Sequence, residues 1–238
     1  MKKDDGVSNV VAMMLLLSIL VICIAALSST YIPDLKQNAE AMHSAEVKEA
    51  LLRFSADVDE LFTTAQGGVY TEVFSLGGGD VLLSPSKSGG TVKIETVTVG
   101  NVGETSITSV NVTYTPLLPY WENQGYFYEN GVVWATKNSE RVPVLSGLNS
   151  VDEGTEREAK TKTDWISAMQ PKLTGESGEK KYYVQNIVIL SADEEKNYLS
   201  GTSQATLKIT ATDITTTTTT SGTNTTTKRV ITAKVSVE

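Results

Sequence analysis

One cysteine, Cys23, and one histidine, His43, are all that the 238-residue chain holds of either type. A disulfide framework needs paired cysteines, a zinc set needs three or four Cys/His ligands, and Cys-His or Ser-His-Asp catalysis needs a histidine beside a nucleophile. Disulfide scaffolds, zinc modules and the usual hydrolase signatures are missing from the outset. Positive charge is scarce as well, with 20 Lys plus Arg against 28 Asp plus Glu and a formal net charge of -8 at pH 7. That balance disfavours nucleic acid or anionic lipid as a partner held by bulk electrostatics. With 40% hydrophobic and 20% charged residues, the composition is that of a folded body and not of a disordered tail.

The most informative absence is local. No charged residue occurs in residues 7–31, and residues 10–27 (VVAMMLLLSILVICIAAL) are apolar except for Ser18. At ~1.5 Å per residue, about 18 to 21 helical residues cover the ~30 Å hydrocarbon core of a bilayer. A short polar leader, Met1-Lys2-Lys3-Asp4-Asp5-Gly6, stands in front. A secretory signal cut near Ala26-Leu27-Ser28 would have a shorter apolar run and a basic leader, whereas Asp4 and Asp5 cancel the two lysines here. A lipoprotein signal needs a small residue before its cysteine, and Cys23 follows Ile22. A permanent single-pass anchor fits the length.

The same residues carry a more specific pattern. Lys2-Lys3-Asp4-Asp5-Gly6, then Val7-Ser8-Asn9-Val10-Val11 and a long apolar run, resembles the class III signal of archaeal type IV pilins and pilin-like proteins. The resemblance covers about the first 65 residues. It implies that a prepilin peptidase cuts between Gly6 and Val7 and that the apolar stretch stays on the mature protein. Glycine suits such a site, because a residue without a side chain leaves the scissile backbone accessible. Bacterial pilins usually carry glutamate at the fifth mature position, here Val11, and a C-terminal disulfide loop, which a chain with one cysteine cannot form. Both departures point to the archaeal branch.

Beyond the run, Pro33 predicts a kink or local break, since proline removes a helical N–H and clashes with the preceding turn. The pattern then becomes amphipathic. Leu35, Ala39, Met42, Val47, Leu51, Phe54, Val58, Leu61 and Ala65 recur at three- and four-residue steps, and Gly67-Gly68 closes the segment. A helix over 7–66 would be on the order of 90 Å long. Its apolar stem, 7–31, needs lipid or other apolar helices; its amphipathic part, 34–66, needs one covered face.

From residue 69 the hydrophobic period is two, with turn residues at short intervals. Val110, Val112 and Tyr114 share one strand face, Leu207, Ile209 and Ala211 another, and Ile231, Ala233, Val235 and Val237 a third. Residues 182–190 (YYVQNIVIL) read as a central strand. Asn130-Gly131 supplies the two positive-φ residues of a type I′ turn, which pairs Phe127 with Trp134 and Tyr128 with Val133. The polar stretch 147–181 reads as a surface excursion with a short helix ending before Pro171. The fold class expected is α+β: a leader (1–6), a long N-terminal hydrophobic α-helix (7–66), then an antiparallel β-sandwich head (69–238), lollipop-shaped overall. About 170 residues suffice for one such head.

Candidate chemistry is sparse. His43 lacks a motif that would supply a nucleophile or metal and reads as a surface or stem-contact residue. Cys23, within the apolar run, reads as a small packing residue. The acidic pairs and triplets Asp152-Glu153 and Asp193-Glu194-Glu195 offer oxygen ligands for calcium but lack the spacing of an EF-hand, so they read as solvated loops. Gly77-Gly78-Gly79 and Gly89-Gly90 precede no phosphate-binding helix and read as turns. The aromatics Tyr120, Trp121, Tyr126, Phe127, Tyr128 and Trp134 fill the core from one hairpin face; the other face packs as well or offers a glycan-binding or subunit contact. Asn111-Val112-Thr113 and Asn224-Thr225-Thr226 are glycan acceptor triplets. The second lies in residues 215–227 (TTTTTTSGTNTTT), expected as an exposed connection of the last two strands or a ribbon continuing them.

The resemblance implies a structural, non-enzymatic role without catalytic residue, metal or cofactor: a subunit of a homo-oligomeric helical filament of the type IV pilus kind, at the cell surface. Its partners would be the cytoplasmic membrane before assembly, the prepilin peptidase and the pilus assembly machinery, with no nucleic acid. The alternative is a membrane-tethered, pilin-like binding module whose β-rich head recognises a glycan or solute.

Overall fold

The computed structural model describes residues 4–81, 87–120, 124–138, 140–146 and 157–238. Met1-Lys2-Lys3, Trp121 and the acidic residues Asp152, Glu153 and Glu156 lie outside them. Helix α1 (Asp4–Ala26) runs through a π-helical turn, Leu27–Tyr31, into helix α2 (Ile32–Thr64). Pro33 therefore disturbs the helix without breaking it. It stands in the first turn of α2, and Ile32 N–H reaches back five residues to Leu27 O. The wider turn relieves the clash between a proline ring and the carbonyl four residues before it. Because α1 begins at Asp4, Gly6 and Val7 both sit inside the helix. At the other end, Ala65 and not a glycine takes the left-handed position, φ 49°, with its N–H on Leu61 O.

The head is a two-layer β structure, as the change of period predicts. One sheet has the order β1 (Val69–Ser75), β10 (Gln204–Ser221), β11 (Asn224–Val237), β8 (Lys180–Ala192), β7 (Lys172–Ser177). The other has the order β6 (Glu140–Ser146), β5 (Val132–Lys137), β4 (Gln124–Glu129), β3 (Thr105–Pro116), β2 (Gly90–Val102), β9 (Tyr198–Gly201). Every pair is antiparallel except β8 with β11, which run parallel from Lys181 opposite Asn224 to Ala192 opposite Val235. A parallel neighbour needs a crossover, supplied by the stretch containing β9 and β10.

Val92, Ile94, Ile107, Val110 and Val112 from one sheet meet Leu190, Leu207, Ile209, Ile231 and Val235 from the other, all at most 1% exposed. Helix α2 packs against this core with Val47, Leu51, Phe54, Val58 and Leu61, and the Phe54 ring stands edge-on to Tyr128 at 5.0 Å. Each such side chain contributes about 1.5–3 kcal/mol by leaving water. The hairpin forms with the expected register, Phe127 opposite Trp134 and Tyr128 opposite Val133. Its turn, Asn130 (φ 49°) and Gly131 (φ 81°), is buried against α2, where Ser55 Oγ donates to Gly131 O at 3.2 Å.

The polar excursion is more than surface. Helix α3 (Arg157–Ala168) ends before Pro171 as predicted, but it carries Trp165 fully into the core, edge-on to Phe62 at 4.6 Å, and Met169 in the turn just after it is buried there too. The following β7 was hidden in that polar stretch. The β10–β11 pair continues as a ribbon past the last pair packed on the core, Ala211 with Ala233, and turns at Gly222 (φ 61°) and Thr223. Strands β8 and β7 flank it. Tyr182 therefore stands in the projecting part, 39% exposed, and only residues 187, 188 and 190 of the expected central strand are buried.

Candidate functional site: the bare stem and its joint with the head

Residues 10–27 touch nothing. Their large apolar side chains are between 47% and 69% exposed, from Leu27 to Met13, on all sides of the helix. The polar residues inside the run are quiet: Ser18 Oγ donates to Met14 O at 2.8 Å, its usual way of hiding in an apolar helix. Cys23 is a free, exposed thiol on the same rod. The helix is long and apolar enough to cross a membrane, by length and composition.

The head first grips the stem at Glu40 and His43. His43 is 6% exposed, which corrects the surface or stem-contact reading of the sequence. Its Nε2 lies 2.9 Å from Tyr114 Oη, and Tyr114 Oη donates to Leu76 O at 3.1 Å. With the tyrosine proton on Leu76, His43 is the Nε2–H donor to Tyr114. Burial lowers the His43 pKa and pushes the Tyr114 phenol well above its ordinary range. Glu40, 1% exposed, accepts the Tyr120 backbone N–H on Oε2 at 3.0 Å, and burial raises its pKa. The stripe thus runs through 40, 43, 47 and 51 and leaves Met42, expected inside, 75% exposed.

This close approach explains the glycines. Gly78 is bridged to Ser88 by two backbone hydrogen bonds of 3.0 and 2.9 Å, and a Cβ on it would lie 2.5 Å from His43 Cγ. Gly77-Gly78-Gly79, expected as a turn, instead forms a β-bridge to Ser88 through Gly78, and a Cβ on Gly79 (φ 81°) would lie 2.9 Å from Glu40 Cγ, so Gly78 and Gly79 are the two that meet α2. Sequence periodicity alone hides this joint, because polar residues occupy the stripe; the run of three glycines was the available signal.

The other candidates resolve by position. Asn111 points away from Val110, Val112 and Tyr114, but it lies mid-sheet between Glu95 and Glu129, half-buried, and its Oδ1 is buried without a partner among the described residues. Asn224 is exposed at the ribbon tip, paired with Ser221. Phe127 and Trp134 do not form an open face. With Val132 they make a second buried cluster, and the Arg141 guanidinium stacks 4.5 Å above the Phe127 ring. An open groove of about 990 Å³ beside β3 and β4 is lined by Thr113, Thr115, Leu117, Gln124 and Asn138, with the buried Tyr114 its one aromatic among the described residues. Asp193, Glu194 and Glu195 form a turn in which Glu195 N–H donates to Asp193 Oδ1. Among the described residues no group of three or more His, Cys, Asp or Glu is placed to hold a metal ion.

Residues 6–144 match the family described as Family of unknown function (DUF7289). The chain belongs to this family. The match takes in the stem, its joint with the head and the strands through most of β6, and it ends before α3 and the threonine ribbon. No curated protein and no solved structure matches the chain.

Proposed function

We propose that this DUF7289 protein is a structural subunit of an archaeal type IV pilus-like extracellular filament. The observation that carries the reading is the helix of residues 10–64, bare and apolar over its first third and buried in its own head only from Glu40 onward. A monomer in water cannot keep such a rod exposed, whereas a bilayer or a bundle of like rods covers it on every side. Before assembly the rod lies in the cytoplasmic membrane. Prepilin peptidase removes residues 1–6 between Gly6 and Val7, which requires only that the first helical turn open, where helices fray most easily. Relative to lipid, stem association gains little from the hydrophobic effect, so close packing and an assembly machine drive extraction.

The binding-module alternative rested on an aromatic face, and Phe127 and Trp134 are 8% and 1% exposed. The filament reading is therefore preferred. Filaments sheared from cells and identified by mass spectrometry test it: the chain should be present with Val7 as its N-terminus. A mature terminus at Ser29, or a chain found only in membranes with Met1 intact, would replace it by secretion or by a permanent anchor.

A further inference from the structure

Among the described residues, the projecting part of the sheet has two unpaired strand edges. Strand β1 pairs with β10 only as far as Thr210, and the last backbone bond on that side is Ala211 N–H to Gly68 O at 3.0 Å. β10 then continues to Ser221 with β11 on one side alone, and residues 212–221 are all exposed. Among the described residues nothing pairs with this edge. Native sheets blunt a long free edge with proline, charge or a bulge, because its unmet N–H and C=O groups template another strand. Residues 214–221 (ITTTTTTS) contain none of these, and threonine favours the extended conformation. The bulge at Ala211 and Asp213 lies below them.

The opposite edge of the same projection is β7, exposed or half-exposed throughout. The register sets the two edges at one height. Thr218 is level with Thr227, Val184 and Lys172, and Ser221 with Asn224, Lys181 and Glu176. Strand directions also match. β10 is antiparallel to β11, β11 parallel to β8, and β8 antiparallel to β7, so β10 and β7 run the same way. Two different edges at equal height on one subunit form a heterologous pair, and heterologous pairs between like-oriented copies generate open helical arrays wherever the rotation between neighbours does not close a ring.

We infer that the free edge of β10, residues 215–221, takes the β7 edge of an adjacent copy by parallel strand addition, joining the projecting sheets of neighbouring subunits. This rests on the filament reading, which supplies the like-oriented neighbours. A β10-to-β10 pairing would need copies of opposite polarity and would close into a dimer.

Disulfide trapping in assembled full-length protein tests the inference. Cys23→Ser removes the native thiol, and Thr219→Cys and Leu173→Cys are placed on one chain. Within a subunit these positions are three strand spacings apart, roughly 14 Å, beyond the reach of a disulfide. Oxidised filaments should give a ladder of dimers, trimers and longer oligomers, because each copy carries both halves of the contact. Thr219→Cys alone should remain monomeric. Thr217→Cys with Leu173→Cys allows for a two-residue difference in register and should ladder if the 219 pair does not. Filaments that assemble normally with no ladder from either pair would overturn the strand addition and leave the filament reading standing. A discrete dimer from Thr219→Cys alone would overturn it in favour of a closed dimer. Absence of filaments from the unaltered chain would overturn both.

Discussion

Replacing Gly78 by alanine should damage the joint between α2 and the head, by an amount the geometry sets. The new Cβ would fall 2.5 Å from His43 Cγ and 2.6 Å from its Cβ, closer than such contacts occur. The loop cannot retreat without losing both bonds to Ser88, and His43 cannot retreat without losing Tyr114. Overpacking of this kind costs about 1–3 kcal/mol, and a buried hydrogen bond about 1 kcal/mol more. Gly78→Ala should then destabilise the head by roughly 2–4 kcal/mol, a fall in Tm on the order of 5–15 °C for a domain of this size. His43→Ala alone should cost about 1–2 kcal/mol, since Tyr114 keeps Leu76 as a partner. The double variant is the decisive one. With the imidazole gone, the alanine at 78 has room, so the pair should cost less than the sum of the singles by about 1–3 kcal/mol. Thermal unfolding of the full chain in detergent, followed by near-UV circular dichroism, measures all three. Additive losses, or a Gly78→Ala protein as stable as the parent, would refute the close-packing account of Gly78.

Leu16→Asp should abolish filaments while the head stays folded, because a carboxylate at the middle of an apolar helix costs about 2.5–3.5 kcal/mol, roughly a hundredfold per subunit; filaments at normal yield would refute stem packing. Asp59 bears on pH. Its Oδ1 is buried without a partner among the described residues, and burial pushes the carboxyl from 3.8 up to about 6. The folded head therefore holds a proton that the unfolded chain has already released, so this group's contribution is full below about pH 4 and is lost as pH rises through 6. Asp59→Asn should stabilise the head by roughly 1–3 kcal/mol at pH 7 and by little at pH 4, measured by urea unfolding; an equal effect at both pH values would refute the assignment. Glycopeptide mapping should find any N-linked sugar at Asn224 and leave Asn111 bare, and occupancy at Asn111 in a folded head would contradict its half-buried place in the sheet.

Local chemistry determined a large part of this architecture. The absence of charge over residues 7–31 requires a helix that is apolar all round, and the two-residue period after residue 69 requires strands. Asn130-Gly131 fixed the hairpin and its register, since its two positive-φ residues suit a type I′ turn, whose twist matches that of the strands. The threonine run was legible as a ribbon because it alternates into good strands on either side and has nothing apolar to bury. Each of these signals depends on neighbours within a few residues along the chain.

What the tertiary structure alone decided was which faces acquire a second cover. Glu40 and His43 took the buried stripe from Ala39 and Met42 because Tyr114 and Tyr120 arrive from 71 and 80 residues away with partners for them. Asn111 alternates correctly out of the core, yet Phe127, Val132 and Trp134 make a second buried cluster on that side of the sheet. The parallel pairing of β8 with β11, the strand β7 in a polar stretch and the burial of Trp165 by a mostly polar helix have the same origin. Periodicity states which residues share a face; only the packing of distant segments settles whether that face meets water, another layer of the same chain, or a bare edge left for a neighbour.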